Sequence, residues 1–133
     1  MRIGWFFPAA LLAALLLALS GCSSHKTYAE QVAAGQELYL ENGCGACHGP
    51  EGHGDGPVLK TLKITPRDFR EPASFVNGYS VEQISRTIGD GLVAETDSMP
   101  AYSHLTGDER DELAVYVMSL RDASKTNAQK ESK

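Results

Sequence analysis

Three stretches of the chain share a polar start signal followed by apolar residues at helical spacing. "TYAE" at 27–30, "SVEQ" at 80–83 and "TGDE" at 106–109 each fit S/T-x-x-E/Q. In this capping box the hydroxyl accepts from an amide one turn on, and the acid or amide side chain reaches back. The first pattern predicts a helix from Tyr28 to about Leu40, with Tyr28, Val32, Gly35 and Tyr39 on one face. Asn42-Gly43 would end it in a left-handed turn. The second, Ser80 to about Asp90, aligns Val81, Ile84 and Ile88 and stops at Gly91. The third, Asp108 to Arg121, aligns Leu113, Tyr116, Val117 and Leu120, with Met118 as packing filler. The acidic "DERDE" at 108–112 reads as its solvated face.

Residues 49–79 follow a different rule. Glycines 49, 52, 54, 56 and 78 and prolines 50, 57, 66 and 72 interrupt every periodicity, leaving at most a short helical turn near 58–62. An irregular segment this long is uncommon in a compact domain. It makes sense where the chain wraps something that is not polypeptide. After Leu120 no large apolar residue remains, so 122–133 is expected to be a disordered tail.

The N-terminus changes the picture again. One positive charge, Arg2, precedes an apolar run of fifteen residues at 5–19, short of a membrane span and suited to a signal peptide. "LSGC" at 19–22 is similar to a bacterial lipobox, which would make residues 1–21 a leader, Cys22 a lipidated N-terminus and 22–27 a polar tether. The alternative is an uncleaved signal anchor. Either way the folded part is expected on the periplasmic, extracytoplasmic side of a bacterial membrane, held to lipid. Lipidation of Cys22 also resolves an odd count of three cysteines, leaving the pair Cys44 and Cys47. The chain's net charge is −5 and Arg2 is the leader's one charge, so the mature protein is slightly more acidic. That balance argues against a nucleic-acid partner.

Candidate chemistry is concentrated in "NGCGACHGPEGHGDGP" at 42–57. "CGACH" fits C-x-x-C-H, the pattern of covalent haem attachment. Two thiols add across the vinyl groups at one porphyrin edge, and the adjoining His48 then reaches iron. Gly45 and Ala46 keep the backbone close to that edge. A redox dithiol would need a βαβ setting that this sequence lacks. A zinc site of Cys44, Cys47, His48 and His53 has suitable ligand types. It is strained, however, by the adjacency of Cys47 and His48. For the second axial position the candidates are His25, His53, His104, Met99 and Met118. Met99 is preferred, with His104 its main competitor. It lies in a helix-free loop about fifty residues beyond His48, stiffened by Pro100.

With "GQELY", "MPAY" and "YVMSL" added to the attachment motif, residues 28–121 resemble the class I mono-haem cytochromes c. "CHGPEGHGDGP", "TPRDF" and "MPAYSHLTGDERDELAVYVMSL" are similar to the branch that contains subunit III of cbb-type oxidases. That subunit carries two haem domains and a membrane helix, whereas this sequence has one CxxCH. The resemblance implies an all-α cytochrome fold with one haem c. It implies a glycine–aromatic crossing of the first and last helices, matched by Gly35 and Tyr116. It further implies a carbonyl acceptor for His48 at Pro57 and haem packing by Leu59. Arg67 is a candidate partner for a propionate, with a plain surface charge the alternative reading.

His/Met ligation leaves no vacancy for substrate and favours Fe(II), which points to one-electron transfer rather than catalysis. The expected partners are redox proteins: a quinol-oxidising complex, a terminal oxidase or another periplasmic reductase. The alternatives are a haem subunit of a larger membrane complex and a ligand sensor in which Met99 dissociates. Lys60, Lys63, Arg67 and Arg70 form a locally basic run, a docking face or scattered surface charge.

Overall fold

The computed structural model describes residues 25–93 and 98–131. The leader, the lipobox and Cys22 lie outside the described residues. Helix α1 is Tyr28–Glu41 and begins with a complete capping box, Thr27 accepting from Glu30 N while the Glu30 carboxylate accepts from Thr27 N. A four-residue helix α2, Gly45–His48, carries the CxxCH motif. Helix α3 is Val81–Asp90, capped by Ser80 and Gln83. Helix α4 is Gly107–Glu131, with Thr106 and Glu109 exchanging the same reciprocal bonds. All three start signals read from the sequence are therefore helix starts, because each satisfies amide donors that the first turn leaves unpaired. Between α2 and α3 the described chain is irregular apart from 3-10 turns at Pro57–Lys60 and Pro72–Ser74. Outside the helices, Leu92 and Met99 form an isolated antiparallel bridge.

The core lies where α1 and α3 pack on α4. Gly35 and Tyr39 on α1 are buried, as are Ile84 and Ile88 on α3 and Leu113, Tyr116 and Val117 on α4. A Cβ built on Gly35 would lie 2.1 Å from Glu112 O and 2.7 Å from Tyr116 Cβ. The two helices thus meet backbone to backbone at this point. The Tyr39 and Tyr116 rings close the crossing edge to face, 5.3 Å apart.

Three expectations change. Tyr28, on the predicted buried face, is 60% exposed, because the α1–α4 contact centres on Gly35, two turns further along. Helix α4 also does not stop at Arg121 but continues to Glu131, where a disordered tail had been expected. Residues 122–131 contain neither glycine nor proline and are rich in Ala, Lys, Gln and Glu. An existing helix extends through such residues without new apolar burial. The "DERDE" face is also not wholly solvated. Arg110 folds against Gly89 with its Nε buried, and half-buried Glu112 pairs with Lys26.

Candidate functional site

The site is built on α2. Helix α1 ends through Asn42, which donates back to Leu38 O from both backbone and side chain, and Gly43 follows in a left-handed conformation at φ 67°. The reversal starts α2 at once, so Cys44, Cys47 and His48 are presented within one turn. Tyr39 steadies the arrangement from below, its buried hydroxyl donating to Gly49 O at 2.6 Å. The burial that shields this bond pushes the Tyr39 phenol above its ordinary range.

The glycine-rich segment then folds back over α2. Gly54 N donates to His48 O at 2.8 Å and Gly56 N to Cys47 O at 3.0 Å. A Cβ on Gly56 would lie 2.2 Å from Ala46 O, so only glycine admits this approach. Further along, Phe69 N donates to Gly52 O at 2.8 Å, which returns the "TPRDF" segment to the same place.

His48 is held by that segment. Its Nδ1 faces the carbonyl of Arg67 at 3.4 Å, and its ring stacks on Phe69 with centroids 4.5 Å apart and planes 26° apart. Because a carbonyl can only accept, Nδ1 carries the proton and Nε2 keeps its lone pair. Among the described residues nothing bonds to Nε2. Burial also holds the His48 pKa below its ordinary value, with the Arg67 carbonyl pulling the other way. The neutral imidazole required of a metal ligand is therefore favoured. The sequence had assigned the carbonyl to Pro57. That proline is exposed and opens the 3-10 turn, while the acceptor belongs to Arg67.

Opposite in sequence, Gly91 ends α3 at φ 72°, a conformation that strains any side chain. A Cβ there would also lie 2.7 Å from Met99 O. The chain that returns beside it is fixed by paired bonds between Leu92 and Met99, both 2.9 Å, and by Tyr102 N donating to Ile88 O. Met99 is thereby packed, half-buried, against the core.

These elements enclose a cleft that opens to solvent. Cys44, Cys47, His48, Arg67 and Met99 all line it. Its walls are mainly apolar, with Phe69, Phe75, Ile84, Ile88, Leu113 and Val117 among them. A large, flat, apolar group bearing a metal fits this set. Two thiols stand at one edge, a neutral imidazole has a free lone pair, and a thioether shares the cleft. Burial pushes the Cys44 thiol above its ordinary pKa, against a smaller opposing pull from the Tyr102 hydroxyl. Neither cysteine is in a disulfide.

The other candidates stand elsewhere. Exposed His104 meets Asn42 Oδ1 at 2.9 Å, His53 lies 3.7 Å from Glu51, and exposed His25 contacts its neighbour Lys26. Met118 packs against the core. Leu59 sits half-buried on the 3-10 turn and is not among the residues lining the cleft. Sequence reasoning missed Phe69, Phe75 and Tyr102 as site residues. Phe69 and Tyr102 were visible only as letters within "TPRDF" and "MPAY", and Ile84 and Ile88 looked like ordinary core.

No curated protein matches the chain. Among solved structures, a chain described as "Kuenenia stuttgartiensis reducing HAO-like protein complex Kustc0457/Kustc0458" is similar, with 36% identity and a TM-score of 0.59. The similarity covers 68% of this chain and 43% of that one, so this protein spans less than half of its neighbour's length. Residues 32–121 match the family described as cytochrome c, a span that runs from α1 through both halves of the cleft. The chain belongs to the cytochrome c family, whose covalently bound haem c takes the thiols of Cys44 and Cys47 here.

Proposed function

We propose that this protein carries single electrons between redox partners at the extracytoplasmic face of a bacterial membrane. In this reading His48 and Met99 are the two axial ligands and a lipid on Cys22 is the tether. The carrying observation is the cleft, which gathers Cys44, Cys47, His48 and Met99 although about fifty residues separate the last two. When bound, haem supplies a reversible one-electron couple. The protein's part is to hold it. His48 offers a fixed imidazole, Met99 a thioether that favours Fe(II), and the apolar walls exclude water, which also favours the less charged reduced state. Arg67 lines the same cleft and is suited to a propionate.

Absorption spectra of the purified protein in both redox states test the ligand set. The oxidised protein is expected to show the sulfur–iron charge-transfer band, and Met99→Ala to lose it, with a lower reduction potential and iron open to added imidazole. An unchanged spectrum and potential in Met99→Ala overturn the assignment. Among the described residues no helix is long and apolar enough to cross a membrane. Membrane attachment is assigned to Cys22 on its lipobox-like setting, "LSGC" at 19–22, and Cys22→Ser is expected to release the protein into the soluble fraction.

A second reading, a haem subunit of a larger complex, is supported by the similar solved chain, which is described as part of a protein complex. The likeness to the cbb-type subunit III branch supports respiratory partners in either case. Copurification after gentle detergent extraction separates subunit from carrier.

A further inference from the structure

We infer that Phe69 is a positioning residue for His48: its ring fixes the plane of the imidazole and thereby tunes the metal that the imidazole binds. This inference rests on the reading of His48 as an axial ligand. A hydrogen bond at Nδ1 fixes one point of an imidazole but leaves the ring free to rock about the line through that point. At 3.4 Å the Arg67 contact is at the long end for such a bond and restrains that rocking weakly. The stacked Phe69 face supplies the missing restraint over the whole ring, 4.5 Å away and only 26° from parallel.

Phe69 is itself firmly held. Its backbone N–H bonds Gly52 O at 2.8 Å, its ring meets Phe75 at 5.8 Å, and it is 6% exposed. A Cβ on Gly52 would lie 2.4 Å from the Phe69 ring, so the glycine is the seat into which that ring fits. One short segment therefore delivers both contacts, the Arg67 carbonyl to Nδ1 and the Phe69 face to the ring. A side chain of similar bulk without a flat face would fill the space and leave the rocking free. Orientation of axial imidazoles and solvent access beside them are levers on a bound haem's electronic structure and potential.

The test compares haem-loaded wild type, Phe69→Leu and Phe69→Tyr by low-temperature EPR of the ferric state and by redox titration. Phe69→Leu keeps apolar bulk and loses the face. It is expected to shift and broaden the largest g value and to lower the potential. Phe69→Tyr restores the face and is expected to return both toward wild type. Because a covalent haem stays on unfolded chains, the sulfur–iron charge-transfer band is recorded on the same samples. The g values are compared only where that band is retained, so that partial unfolding is not mistaken for the effect. Phe75→Leu, which removes support without touching His48, is the milder second variant and is expected to broaden the signal with a smaller shift. A merely structural Phe69 would lower stability in Phe69→Leu while leaving the g values and linewidth unchanged, and that result overturns the inference. If His48 were not an axial ligand, the wild-type spectrum itself would lack the low-spin imidazole signature, which separates failure of the ligand reading from failure of this one.

Discussion

The helical frame and the glycine-rich wrap enclose the same cleft but are held by different means. In α1, α3 and α4 the backbone pairs mainly within each helix, with capping side chains serving the first turns, and the helices meet through buried side chains such as Tyr39, Ile88 and Leu113. In residues 49–79 the decisive bonds run between distant backbone groups: Gly54 to His48, Gly56 to Cys47, Phe69 to Gly52. A frame built on side chains tolerates change at its solvent-facing positions, but not in its buried core or where two backbones meet. A wrap built on backbone contact tolerates little at its glycines and much at its exposed positions.

The crossing of α1 and α4 is where the frame itself relies on backbone approach, so it should be its weakest point to substitution. Gly35→Val forces atoms into Glu112 O and Tyr116 Cβ. It is expected to cost about 3 kcal/mol or more, the upper end for overpacking, measured by denaturant unfolding of the haem-loaded protein. Against a typical total stability of about 5–15 kcal/mol this approaches unfolding. A loss below about 1 kcal/mol would mean that the two helices are not in backbone contact.

In the wrap, Gly56→Ala places one methyl against Ala46 O. The expected loss is about 2 kcal/mol, since neither backbone segment is a flexible side chain that can move aside. Because Ala46 lies between the two cysteines, the variant should also yield less haem-loaded protein, read from the ratio of haem to protein absorbance.

Tyr39→Phe probes the buried bond that ties α1 to the wrap. Removing the hydroxyl leaves buried Gly49 O with only the longer bond from Gly52 N at 3.3 Å, at an expected cost of about 1 kcal/mol. Accelerated amide exchange near Gly49 with α4 unaffected would locate the loss at the junction.

The smallest effect is expected at a helix start. Ser80→Ala removes the acceptor for Gln83 N and should cost about 1 kcal/mol, with the α3 amides fraying first. A larger loss there than at Gly35 would invert the comparison.

What was legible in the sequence was local. Capping boxes show because the bonds span three residues, so Thr27, Ser80 and Thr106 announced their helices directly. The CxxCH motif shows because its chemistry needs fixed spacing. Gly35 and Tyr116 were legible through likeness to a known family. Helix α4's length was misjudged because lack of apolar residues was taken for lack of structure, whereas a helix needs core contacts only along part of its length.

Thus the sequence by itself determined the helix starts, the attachment point and the covalent cofactor, all of which depend on residues close together along the chain. The tertiary structure decided what surrounds His48. A carbonyl is present on every residue, so no letter marks which one will accept from Nδ1. The path of the wrap brought Arg67 there instead of Pro57. The same path put Phe69 against the imidazole and left Leu59 outside. Met99 reached the cleft because Gly91 permits a close backbone return and the Leu92 bridge fixes it. Such placements arise from backbone contacts between segments far apart in the chain, and these contacts carry no side-chain signature.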